Sequence, residues 1–515
     1  MTKITKEIDK TTVSELNENL TVLQEHIVLI EGAHFQVNLD LWDEEDEPAS
    51  ENPTWREYTR NELISALAAG YVTKKEAQTL ISMLQSHKKT RVVKPAYEKD
   101  TLPLRPAGFQ MIDGAPWFIR NESKPLEPVK GNPAPILRQI CRMFGNEAPL
   151  FIGWLKGAYT RQLNFAAEAR GKRAPYQKVA SQTLAIIGEP GTGKTHVLLD
   201  IIIAGLLGEY TNMPSSWLSG ASRFNDWALN SNIWVADDGV ALQSIRERKQ
   251  AATILKQAGY SSRLTIECKN KAVMTMDYPC ERIFIVNLQD YALRALPAYE
   301  ENTDKYLFLH NCAPSGLLED WGGDFEAMEK NLQDAIPAFA YWLMNDYVLP
   351  EWATRDTNRH TVADYGYMSP PVLQALSELD EAGILMARLR KCYVSPYTQE
   401  RVRNKALTQE DLRSIMEGLE GRPDCTSSIK MGLLFSECIR RWPHLIEDKT
   451  VRGYRHFTLL RNEAWLNPLT MNTTHCCIAQ PDPILLEQAG LPHDFNPVPP
   501  RHEPEQQDEL PLCAR

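Results

Sequence analysis

The chain has 515 residues, 43% of them hydrophobic and 24% charged, which is the balance of a soluble globular protein too long for a single hydrophobic core. Its net charge of −11 argues against a surface coated for nucleic acid but leaves room for a few cations lining a narrow channel. No apolar run reaches the roughly 18 residues of a membrane span, and Met1–Lys10 is charged where a secretory signal is apolar, so a cytoplasmic protein with no membrane partner is expected.

Residues 1–42 are weakly periodic, and Asp43-Glu44-Glu45-Asp46-Glu47-Pro48 reads as a solvated linker. Leu63 and Leu67, then Ala77, Leu80 and Leu84, recur at helical spacing with Gly70 as a stop between them. An accessory region over residues 1–95, largely helical, is expected. The basic stretch His87-Lys88-Lys89-Thr90-Arg91 reads as a solvated helix end before it reads as a phosphate contact. Across residues 96–170, Pro-rich connectors at 95–106 and 121–133 bracket a strand-like Trp117–Ile119. Helical pattern over Ile136–Phe144 and Leu150–Arg161 then forms a collar-like lead into a core at 171–330.

That core opens with Thr183-Leu184-Ala185-Ile186-Ile187, a β-branched run feeding Gly188-Glu189-Pro190-Gly191-Thr192-Gly193-Lys194-Thr195 and then His196 and the apolar Val197-Leu198-Leu199. Strand, G-x-x-x-x-G-K-[ST] and helix in this order make a phosphate-binding loop. Gly191 and Gly193 let successive backbone N–H groups turn toward phosphate oxygens, and the helix start adds its positive dipole end. Lys194 is the catalytic cation for the β- and γ-phosphates of ATP, and the Thr195 hydroxyl is a Mg²⁺ ligand. The nucleotide cradle is thus residues 188–196.

Ile233-Trp234-Val235-Ala236 is a second apolar run, ending in Asp237 and Asp238. Asp237 is expected to hold Mg²⁺ through water, and Asp238 to take the general-base position, where the shorter Asp departs from the commoner Glu. Leu264, Ile266 and Cys268 alternate along one strand, Val273–Met276 can return it, and Lys269-Asn270-Lys271 suits the turn between them. Arg282–Val286 is a third apolar strand with Asn287 at its tip, placed to hydrogen-bond the attacking water or the γ-phosphate. The fold class is therefore α/β, a P-loop nucleotide hydrolase core with a central parallel sheet.

Beyond the core, Pro337 can open an apolar helix over Ala338–Val348, which Pro350 ends. A helix over Pro371–Ala382, Gly383 as a stop and an extended Ile384–Val394 read either as a winged-helix unit or as an ordinary α/β accessory domain within residues 331–493. Ten cysteines include no C-x-x-C pair, and His475-Cys476-Cys477 is too tightly spaced to close a tetrahedral zinc site, so reduced structural thiols are expected. Residues 494–515 are Pro- and acid-rich and read as a disordered tail.

The phosphate loop, the Asp-Asp strand end, the Lys-tipped excursion and the Asn-tipped strand lie within about 100 residues. As a set over residues 180–312 they resemble superfamily 3 replicative helicases. The resemblance implies a homo-oligomeric ring, commonly a hexamer, in which the hairpin faces a central channel and Lys269, Asn270 and Lys271 grip single-stranded or forked DNA. It further implies a cation acting in trans on the neighbouring subunit's nucleotide. Lys305 is the best match to that position, with Lys256 and Arg294 as further candidates, although Arg is usual there. Replication of a phage, plasmid or other mobile element is the implied setting, with a separate primase or initiator as partner. No His-x-His with a downstream Tyr for nicking is found, nor an acidic strand pair for primase chemistry within residues 1–130. Two alternatives stay open: an AAA+ type ATPase that loads or remodels another replication or defence protein, and a non-hydrolysing nucleotide switch.

Overall fold

The computed structural model describes residues 27–30, 34–38, 55–70, 72–86, 97–237, 242, 245–260, 263–269, 273–293, 295–297, 306–312, 321–353, 367–377, 381–394, 399, 406–408, 411, 428–451, 454–460, 482–493 and 495. Strands Ile27–Ile30 (β1), His34–Asn38 (β2) and Trp55–Thr59 (β3) form an antiparallel sheet, followed by helices Arg60–Gly70 (α1) and Lys74–Ser86 (α2). Thr59 with Glu62, and Thr73 with Glu76, exchange hydrogen bonds that open the two helices as capping boxes. Leu63, Leu67, Ala77, Leu80 and Leu84 share one core with Ile27, Phe35 and Val37. The two expected helices are present, and among the described residues they share the region with these three strands. Phe35 and Val37 alternate along β2 and bury on the sheet face that the helices cover.

Tyr97–Thr101 (β4), Gly108–Ile112 (β5) and Ala115–Asn121 (β6) make a second small sheet in the order β4-β6-β5. The strand expected at Trp117–Ile119 is there and longer. The Pro-rich connector before it contains β4, a charged edge strand with no apolar alternation to announce it. Helices Ala134–Phe144 (α3) and Ala148–Ala169 (α4) follow as expected.

The central sheet then assembles from Thr183–Gly188 (β7), Tyr210–Asn212 (β8), Ile233–Ala236 (β9), Glu281–Asn287 (β12), Tyr306–Asn311 (β13) and Tyr367–Met368 (β14). Between β7 and β8 runs Lys194–Ile203 (α5), a π-wound helix continued by Ala204–Leu207. Between β9 and β12 lie helix Ile245–Tyr260 (α6) and the antiparallel pair Arg263–Ile266 (β10) and Met274–Asp277 (β11). The sheet order is β14-β13-β7-β12-β9-β8, with every pairing parallel. Leu184, Ile186, Ile283, Ile285, Leu307 and Leu309 bury on one face against α3, α4 and α5. Ala185, Ile187, Trp234, Phe284, Val286 and Phe308 bury on the other, against α6 and the β10–β11 hairpin. A sheet covered on both faces explains why these strands read as unbroken apolar runs.

Helix Phe325–Asn345 (α7) joins the first of these cores through Met328, Leu332, Ile336 and Phe339, and so crosses the boundary expected at residue 330. Pro337 does not open it but lies inside it. Asp324 caps the true start, its carboxylate accepting from the Ala327 N–H at 3.0 Å, and the Pro337 carbonyl accepts from the Val129 N–H at 3.0 Å. Helices Pro370–Ser377 (α8) and Glu381–Val394 (α9) follow, so Ile384–Val394 is helical and not extended, and Gly383 does not stop it. Ala382, Leu385, Met386, Leu389 and Tyr393 bury at helical spacing, which outweighs one glycine. The strands of this region come later. Ala406–Leu407 (β15) and the hairpin Ile446–Val451 (β16) and Tyr454–Leu459 (β17) pair as β15-β17-β16 around helix Ser428–Arg441 (α10) and α9. Helix Pro483–Gln488 (α11) returns to α3, with the Arg138 guanidinium donating to the Ala489 carbonyl at 3.1 Å. Among the described residues no helix is long and apolar enough to cross a membrane. The acidic run at 43–48, the basic stretch at 87–91, the His475–Cys477 cluster and the chain after Phe495 lie outside the described residues.

Candidate functional site

In the central sheet the first strand, β7, is flanked by β13 on one side and β12 on the other, and the connections leave in opposite directions. Such a switch point opens a crevice at the carboxyl ends of the strands. In register, Gly188 ends level with Asn287 of β12 and with Asn311 of β13. Three strand tips therefore meet at the loop Gly188–Lys194.

The loop is shaped by two glycines in the left-handed region, Gly191 and Gly193, both at φ 75°. Its crest closes when the Thr192 hydroxyl donates to the Glu189 carbonyl at 2.9 Å. Gly188 needs to be glycine for a different reason. A Cβ there would stand 2.5 Å from the Asn311 carbonyl oxygen, in the wall of the neighbouring strand. The helix leaves with a widened first turn, the N–H groups of Val197 and Leu198 both donating to the Gly193 carbonyl at 2.9 and 3.2 Å. π-type winding of this kind is frequent at functional sites.

Lys194 is buried, 6% exposed, and its ammonium donates to the Gly188 carbonyl at 3.0 Å, the Glu189 carbonyl at 2.6 Å and Asn287 Oδ1 at 3.0 Å. An ammonium only donates, so the Asn287 carboxamide must turn its oxygen toward Lys194 and its N–H₂ end the other way. Lys194 and Asn287, expected to act at one phosphate group, are thus in contact. Asp237 leaves the sheet one residue past the Ala236–Phe284 pairing and is exposed, as is Thr195. Glu189, Pro190 and Gly191 are exposed on the loop, and the His196 ring leans on Phe325 of α7 with centroids 4.8 Å apart. Asp238, Asn270, Lys271, Lys305 and Arg294 lie outside the described residues, as does the side chain of Lys256. Among the described residues no group of three or more His, Cys, Asp or Glu is arranged to hold a metal alone. A Mg²⁺ ion here would draw on Thr195, Asp237 and phosphate oxygens, the usual composition for this hard cation.

Sequence reasoning missed the tip of β13. The Asn311 side chain is fully buried and its Nδ2 donates to the Thr192 carbonyl at 3.4 Å, tying the loop crest to the neighbouring strand. His310, beside it, is held below the usual histidine range, first by burial and then by the charge of Lys194. Behind this tip Glu147 accepts from the His310 backbone N–H at 3.0 Å and from the Tyr367 hydroxyl at 2.9 Å. Burial pushes the Glu147 carboxyl up to about 7 against those hydrogen bonds. The rule that found Asn287, a polar residue ending an apolar strand, would have found His310 and Asn311.

The excursion between β9 and β12 is the expected hairpin. Arg263 pairs with Asp277, Leu264 with Met276 and Ile266 with Met274. Leu264, Ile266, Met274 and Met276 bury on the core while Thr265 and Thr275 share a hydrogen bond at 3.2 Å on the outer face. Lys269 is exposed at the turn. Asn225 clamps the root: its Nδ2 donates to the Thr265 carbonyl at 2.9 Å and its Oδ1 accepts from the Glu267 N–H at 2.8 Å. Beside the clamp, Phe224 is 39% exposed and the Arg223 guanidinium lies 5.7 Å from its ring centroid.

A family of unknown function (DUF5906) matches residues 186–298, a stretch running from β7 to just past β12. No curated protein matches the chain. Among solved structures, the apo C-terminal region of NrS-1 is similar at 14% identity over 85% of this chain and 96% of that one, with a TM-score of 0.45. Two A-form apo structures of the same region give 14% identity, with TM-scores of 0.43 and 0.44 over 85% and 84% of this chain.

Proposed function

We propose that the chain is a Mg²⁺-dependent ATP hydrolase that moves along single-stranded DNA, a replicative helicase of the superfamily 3 type working as a homo-oligomeric, hexameric ring in the replication of a mobile element. The observation that carries this is the Lys194 ammonium 3.0 Å from the Asn287 carboxamide, across two strand tips and against the turn of a glycine-rich loop. Residues 188–196 supply the backbone cradle for the triphosphate. On phosphate binding, Lys194 exchanges contacts with its own loop carbonyls for the β- and γ-oxygens, and its charge offsets what develops during transfer. The N–H₂ end of Asn287 is the donor type that orients a γ-oxygen or the attacking water, and Asp238 accepts that water's proton. Thr195 and Asp237 would hold Mg²⁺, which would supply charge neutralisation at the triphosphate. Lys305 of the next subunit completes the site.

The hairpin supports the DNA part of the reading. A strand pair buried on one face and anchored at its root leads to the exposed Lys269, and the exposed Phe224 and Arg223 beside the root offer a stacking face for a base. The test is strand separation on forked DNA. Wild type is expected to separate strands with ATP, and Lys194→Ala to lose both separation and turnover by about 100-fold or more. Lys269→Ala with Lys271→Ala is expected to keep basal turnover and lose its stimulation by DNA. Stimulation that survives this pair would favour an ATPase that remodels protein, and turnover unaffected by Lys194→Ala would end the reading.

A further inference from the structure

A triphosphate whose β- and γ-phosphates lie at Lys194 directs its α-phosphate and nucleoside toward the backbone N–H groups that follow, past Thr195 and His196. What stands there is aromatic. The His196 ring meets Phe325 with centroids 4.8 Å apart and planes at 32°. Phe325 is 44% exposed and takes no part in the sheet core that the rest of α7 joins. It is held in place nonetheless: Gly322 and Gly323, at φ 61° and 84°, make the turn before it, and Asp324 caps the helix it begins. His196 Nε2 lacks a hydrogen bond among the described residues, as does the buried indole Nε1 of Trp321 in the turn before the helix. The flank is acidic, with Asp200 Oδ2 3.8 Å from His196 Nδ1 and Glu329 Oε2 3.9 Å from Nε2. Carboxylates beside the His196 ring suit a flat ring bearing an amino group.

We propose that His196 and Phe325 form the nucleobase subsite of this ATPase, a platform on which an amino-bearing purine stacks. The inference rests on the phosphate reading of the loop and adds the residues that choose the base. A fixed aromatic ring at a helix start costs little ordering on binding, so stacking on it is retained as affinity.

The test compares ATP, CTP and inorganic tripolyphosphate binding to the full chain by calorimetry. Wild type is expected to bind ATP at least about 10-fold tighter than CTP or tripolyphosphate. Phe325→Ala should lose that margin while binding tripolyphosphate as wild type does, and Phe325→Trp should keep it. Undiminished ATP affinity in Phe325→Ala overturns the subsite. So does a parallel fall for ATP and tripolyphosphate, which would mark Phe325 as structural. Wild type that binds none of the three would overturn the phosphate loop itself, and the subsite with it.

Discussion

At the level of single residues, the strand tips hold several polar groups in states that water would not favour. Glu147 is the sharpest case, because its carboxyl titrates near 7 in the fold and near 4.5 in an ordinary environment. A raised folded value means the native state binds the extra proton, so its contribution is complete below about 4.5 and is lost as pH rises through about 7. His310 acts in the opposite sense: its lowered value costs stability as pH falls below the usual histidine range. Comparing wild type with Glu147→Gln cancels the histidine. Thermal or urea unfolding is expected to show wild type losing on the order of 3 kcal/mol relative to this variant between pH 4.5 and 7. A flat difference would show that Tyr367 and the His310 N–H keep Glu147 ionised throughout. Lys194 and Thr195 stood out in the sequence through the glycine-rich loop pattern, and Asp237 and Asn287 because each is a polar residue closing an apolar run. Glu147 did not. It reaches the site from the turn between α3 and α4, 163 positions from the backbone it bonds.

Among the elements, the β10–β11 hairpin was readable from alternation alone, since Leu264 and Ile266 had to face something apolar. Its anchor was unreadable, because Asn225 is about 40 residues upstream and asparagine is common in loops. The anchor is worth testing separately. Asn225→Ala removes partners from the Thr265 carbonyl and the Glu267 N–H, and is expected to cost about 1–3 kcal/mol. Amide exchange should then speed up across Arg263–Glu267 while β7 and β12 stay protected. Unchanged exchange in the hairpin would mean that burial of Leu264, Ile266, Met274 and Met276 suffices to hold it. The two misread elements, α7 and α9, share one cause. Pro337 and Gly383 are strong local punctuation, yet each lies in a helix whose apolar face is long enough to outweigh it.

For the whole molecule, the buried residues fall into an N-terminal core around Phe35 and Leu63, a C-terminal core around Leu389 and Phe457, and the two faces of the central sheet. Separate cores unfold as separate units. Calorimetry is expected to resolve more than one transition, and ATP at 100 times its Kd to stabilise only the sheet's transition, by about 2.7 kcal/mol. A single transition shifted as a whole would show that the accessory cores have no independent stability.

The sequence by itself determined the glycine-rich loop, the strands that converge on it and the hairpin between them, because each is a local pattern whose residue types answer to backbone geometry or to periodic burial. Tertiary structure alone decided which strand lies beside which, and so brought Asn287 to Lys194, Asn311 to Thr192 and Glu147 to His310. It also set Phe325 against His196. These contacts join positions far apart in the chain, where no spacing rule applies and only the packing of a doubly covered sheet fixes who meets whom.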